Sequence, residues 1–165
     1  MFLALGFVLP FLTGQIKEIG SALLPMHLPV MLCGIICGWQ YGIAVGLILP
    51  IARSLIFTMP IMLPTAICMA PELATYGLVI GLLYSVLKKK GLLGLMVSLL
   101  SAMIGGRVVW GIAKTVFHGL SKSPFSFEAF ITAGFVTAVP GIILQLILIP
   151  VIITLTERIS QNDKG

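Results

Sequence analysis

Three charged side chains stand inside apolar sequence: Arg53, Glu72 and Arg107. A charge at the centre of a bilayer costs roughly 2.5–3.5 kcal/mol on insertion scales, so such residues mark ion or substrate sites by default. An arginine offers a planar fork of N–H donors that matches a carboxylate, and a glutamate accepts hydrogen bonds. Glu72, Thr75 and Tyr76 share a helix face by i, i+3, i+4 spacing, and Arg107, Trp110 and Lys114 share one by i, i+3, i+7 spacing. Two arginines and one glutamate leave one positive charge over, which points to an anionic ligand. His27, in the apolar stretch ALLPMHLP, is expected in a loop that covers the mouth of the pocket. The candidate substrate-binding residues are therefore His27, Arg53, Glu72, Tyr76, Arg107 and Trp110. The competing arrangement pairs Arg53 with Glu72 as a helix-to-helix clamp, with Arg107 snorkelling to the surface. Gln145 lies deeper, suited equally to interhelical hydrogen bonding and to ligand contact.

Catalytic chemistry has little to work with. No GxSxG, HExxH or phosphate-binding glycine loop is present. Ser54 and Ser101 lack a histidine at their depth, and His27, His118 and Glu72 lack metal-ligand spacing. Cys33 and Cys37 stand i, i+4 apart, but with no other ligand beside them they read as small buried residues, as does Cys68. The chain is expected to be no enzyme and to hold no cofactor or metal. With no ATP site, any uptake it serves draws energy from another subunit or an ion gradient.

The elements that position these residues follow from composition. The chain has 165 residues, 59% hydrophobic and 9% charged, with mean hydropathy +1.17. Soluble domains carry about 25% charged residues, and a core of this length cannot hide so much apolar surface. An all-α integral membrane protein of one domain, residues 1–165, is the expectation, set in lipid and with no role for nucleic acid. Apolar segments fall at about 1–13, 28–38, 41–58, 64–87, 92–113 and 129–155, giving six helices. The first is short of the roughly 20 residues a span needs; it is a stub or the remainder of a helix that starts upstream of Met1. Gly34 and Gly38, Gly42 and Gly46, and Gly77 and Gly81 make small-xxx-small faces for close packing. Pro50 is expected to kink its helix, Pro71 to interrupt its own, and the tail from Thr156 to leave the membrane.

Lys88, Lys89 and Lys90 place their loop in the cytoplasm. Six crossings then put both termini there too. At about 1.5 Å per residue, Arg53, Glu72 and Arg107 lie about 8, 12 and 9 Å below the outer ends of three different helices. Their common depth predicts a pocket open to the exterior, with the turn MPIMLP at its rim.

The run PFLTGQIKEIGSALLPMHLPVMLCGIICGWQYG, followed by ELATYGLVIGLLYSVL, resembles the substrate-binding S-components of energy-coupling factor (ECF) vitamin transporters. The resemblance extends over about residues 5–153, with LPMHLPV and GRVVWG its more specific parts. It implies six helices with cytoplasmic termini and a vitamin site near the external face, capped by the loop between helices one and two. It also implies a transmembrane coupling subunit and two ATPase subunits as partners, the latter using the ATP, in the plasma membrane of a bacterium, with the S-component toppling during transport. Contact with the coupling subunit is expected at Ala4 and Gly6; the family's alanine pair at four-residue spacing is reduced here to Ala4. Pantothenate, with its carboxylate, hydroxyls and amide, suits the surplus charge. Pyridoxine or hydroxymethylpyrimidine stacked on Trp110 and Tyr76 is the alternative vitamin reading. A ligand-free structural protein of cell-envelope assembly is the alternative outside transport.

Overall fold

A computed structural model describes residues 1–12, 25–58, 60–120, 132 and 138–162. Among them the regular structure is helical: α1 Phe2–Leu12, α2 His27–Ile36, α3 Trp39–Phe57, α4 Ile67–Leu87, α5 Gly91–Leu120 and α6 Val139–Asn162. Residues 14–24 of the expected cap and the expected start of the last segment at 129 lie outside the described residues.

Three stretches are long and apolar enough to cross a membrane: Trp39–Phe57, Ile67–Phe117 and Val139–Thr156, with His27–Ile36 a shorter apolar helix. The middle stretch is a hairpin. Lys88–Lys90 form a 3-10 turn, Gly91 takes φ +59°, and the chain reverses. Gly94 then lies on Leu87, Gly105 near Thr75, and Arg107 on Glu72, so α5 runs antiparallel to α4. The outer face of α5 presents Ile104, Val108 and Ile112, and Ile104 is 60% exposed, while Arg107 and Trp110 turn inward. Apolar outside and polar within is the pattern of a helix whose solvent is lipid.

The centre of the bundle is α4, against which α2, α3 and α5 all pack. Small residues allow the approach: a Cβ on Gly42 would stand 2.9 Å from Gly77 Cα, so the backbones of α3 and α4 touch. Gly34 of α2 reaches the same place on α4. Gly38 does not join this packing face. With φ +99° it forms the α2–α3 connection, a backbone state that favours glycine. Met31, Ile80, Leu99 and Ile149, from α2, α4, α5 and α6, share the main apolar core.

Helix ends differ from the sequence-based expectations for local reasons. Pro71 does not interrupt its helix. It is the fifth residue of α4, where its missing N–H removes a single bond, to the first residue, and Thr75 Oγ1 donates to its carbonyl at 2.8 Å. The preceding Met62–Ala66 is a π turn with Ala66 N–H bonded to Ile61 O at 3.0 Å. Leu63 there is extended, as a residue before proline tends to be. The α5 helix continues past Ala113 to Leu120, and α6 past Leu155 to Asn162. Polarity ends the membrane-compatible sequence at those points, and the intrahelical hydrogen bonds continue without it.

Candidate functional site

Glu72 comes early in α4, about 8 Å along the axis from Ile67 and about 22 Å from Leu87. It is 1% exposed. A buried carboxylate needs compensation, and three side chains supply it on one oxygen. Arg107 Nη1 donates to Oε1 at 3.1 Å from α5, and Tyr76 Oη donates to it at 3.2 Å from the next turn of α4. His27 Nε2 stands 3.5 Å from the same atom, at the first residue of α2. A carboxylate only accepts, so a neutral His27 carries its proton on Nε2 and presents a lone pair at Nδ1.

His27 is therefore not in a covering loop. It is buried and helical, its ring edge-on to Tyr76 at 5.0 Å. The prolines around it suggested a loop, but Pro29 is the third residue of α2, where no intrahelical partner is lost. The Tyr76 ring lies on Gly106 of α5: a Cβ there would stand 2.7 Å from Cζ. The absence of a side chain at Gly106 thus lets Tyr76 and Arg107 reach the same carboxylate.

Arg107 is 5% exposed and carries more donors than the cluster uses. Its Nε and Nη2, together with His27 Nδ1, are buried and without a hydrogen-bond partner among the described residues. The guanidinium carbon lies 5.9 Å from the Trp110 ring centroid, and Lys114 Nζ lies 5.8 Å from it. One aromatic ring therefore has two cations within cation–π range.

Arg53 goes elsewhere. Its Nη1 donates to Phe7 O of α1 at 2.8 Å, and its guanidinium lies 5.3 Å from the Phe57 ring centroid. The clamp of Arg53 on Glu72 is replaced by Arg107 on Glu72, and Arg53 no longer contributes surplus charge to the cluster. The second cation there is Lys114, aligned with Arg107 and Trp110 as their i, i+3, i+7 spacing indicates. Of the six candidate residues, His27, Glu72, Tyr76, Arg107 and Trp110 are brought together and Arg53 is separate. Ala4 is exposed on α1, whereas Gly6 is buried against Leu49, so the two do not share an outward face. Gln145 is buried on α6. Cys33 and Cys68 are buried and Cys37 is exposed, all as free thiols.

A family model described as "ECF transporter, substrate-specific component" matches residues 1–153. No curated protein and no solved structure matches the chain.

Proposed function

The chain belongs to the ECF transporter substrate-specific component family, and from that premise we propose that it captures a vitamin for an ATP-driven importer, at the Glu72–Arg107 cluster. The observation that carries the site is the convergence of three elements on Glu72 Oε1, with buried nitrogens of Arg107 and His27 left over. A purely structural ion pair is stable when its polar atoms are matched. A site that binds a polar molecule keeps donors and acceptors in reserve.

In this reading the chain performs no hydrolysis. Two ATPase subunits supply the energy through a transmembrane coupling subunit, and this chain supplies affinity and selectivity. Lys88–Lys90 mark the cytoplasmic side by charge. The Glu72 cluster, toward the other end of α4, then faces the exterior, where a dilute vitamin must be captured. Six crossings with both termini in the cytoplasm complete the topology.

Binding by the purified chain without ATP tests the function. Trp110 is in the cluster and Trp39 lies at the opposite end of α3, exposed. Replacing Trp39 by Phe leaves Trp110 as the only tryptophan. Titration with a panel of B vitamins should then change its fluorescence saturably for one of them. A flat response to the whole panel, with a ligand-free melting curve unaltered by any of them, would refute the reading.

A further inference from the structure

The unused atoms of Arg107 are not an arbitrary pair. In a guanidinium, the Nε–H and one N–H of the terminal nitrogen trans to Cδ point the same way and form the side-on edge. This edge accommodates both oxygens of a carboxylate at once. Nη1 is engaged by Glu72, while Nε and Nη2 are buried and have no hydrogen-bond partner among the described residues. Glu72 thus holds the fork by one end and leaves its bidentate edge free. With its proton on Nε2, toward Glu72, the His27 ring has an acceptor at Nδ1, which is buried and without a hydrogen-bond partner among the described residues. Resting on the transport reading above, we infer that the substrate is a monocarboxylate with an O–H or N–H donor elsewhere in the molecule. The carboxylate takes the Nε/Nη2 edge of Arg107, and the donor goes to His27 Nδ1.

Charge supports a carboxylate over a neutral acceptor. Two cations, Arg107 and Lys114, flank Trp110, and Glu72 is paired to the first of them. A phosphate dianion would set two negative charges near Glu72 in a medium of low dielectric. The indole of Trp110, flanking Arg107, offers an apolar wall for the rest of the molecule.

The experiment uses the full chain in lipid nanodiscs and matched ligand pairs that differ at the carboxylate. Pantothenate is set against pantothenol, biotin against its methyl ester, and nicotinate against nicotinamide. Pyridoxine and hydroxymethylpyrimidine form the neutral arm. One carboxylate that also carries a donor should bind, and its neutral counterpart should bind at least about 100-fold more weakly, because two charge-assisted hydrogen bonds are lost. This comparison needs no variant. Arg107→Lys, which keeps the charge and removes the edge, should weaken the carboxylate at least about tenfold and its neutral counterpart by less than about threefold. His27→Phe should weaken the carboxylate ligand with its melting temperature checked in parallel. Equal binding within the matched pair overturns the inference. So does tight binding of a neutral vitamin with none by the carboxylates, a result that leaves the transport reading standing. Silence from every ligand in both arms overturns the transport reading itself.

Discussion

Arg107 and Glu72, on antiparallel helices, meet at 3.1 Å with both side chains buried. Removing one partner strands the other as an uncompensated charge, which typically destabilises a protein by about 3–5 kcal/mol. Replacing both by apolar residues of similar volume is often nearly neutral. Glu72→Ala alone and Arg107→Ala alone should therefore each lower the melting temperature markedly. The double variant Glu72→Leu/Arg107→Met should recover most of it and bind no ligand. Recovery of stability without binding separates the two roles of the pair; thermal unfolding and vitamin titration measure them.

Tyr76→Phe is the finer test of the same carboxylate. The ring stays on Gly106 and edge-on to His27, and only the O–H to Glu72 Oε1 goes. The loss should be about 0.5–3 kcal/mol, between an ordinary hydrogen bond and one to a charged group. Chemical denaturation followed by tryptophan fluorescence reads it.

Adjacent glycines should respond in opposite directions. A Cβ at Gly105 meets Val79 and Thr75 at 3.7 and 3.8 Å, which is ordinary contact. Gly105→Ala should stabilise α5 by up to about 1 kcal/mol, from helix propensity. A Cβ at Gly106 strikes the Tyr76 ring at 2.7 Å. Gly106→Ala should destabilise by about 1–3 kcal/mol, as overpacking does, and should weaken ligand binding by shifting Tyr76. Melting curves of the two variants side by side decide the matter.

Arg53 shows where sequence reading reaches its limit. Depth along a helix is legible: residues at 1.5 Å steps place Arg53, Glu72 and Arg107 near one level. The direction a side chain takes around the axis depends on packing. Gly42 and Gly46 turn one face of α3 onto α4, and Leu49 and Arg53 follow on that buried face toward α1. Leu49 sits on Gly6, and one turn later Arg53 reaches Phe7. The i, i+4, i+7, i+11 spacing of Gly42, Gly46, Leu49 and Arg53 carried that signal, but its destination required α1 in place. Glu72 with Tyr76, and Arg107 with Trp110 and Lys114, were readable because each set lies on one helix. The link between the sets, Gly106 under Tyr76, was visible in sequence only as one glycine among many.

That placement makes Arg53 a test of specificity. Arg53→Gln should loosen α1, seen as faster hydrogen exchange of amides across Phe2–Leu12, because the Phe7 carbonyl loses its charged donor. Vitamin affinity should change by less than about threefold, since Glu72 keeps His27, Tyr76 and Arg107 of α2, α4 and α5. A large loss of affinity with α1 intact would return Arg53 to the binding site.

The orientation has a native reporter. Cys37 is exposed, while Cys33 and Cys68 are buried. It lies at the α2–α3 connection, next to Gly38 and Trp39, and Trp39 packs on Gly81 toward the Lys88–Lys90 end of α4. If the lysine turn is cytoplasmic, Cys37 is near the same side. A membrane-impermeant maleimide should therefore label Cys37 in inside-out vesicles and spare it in right-side-out cells. Lys89→Cys in a Cys37→Ser background should follow the same pattern. Labelling of either from outside would invert the topology and place the Glu72 cluster toward the cytoplasm, where it could not capture an external vitamin.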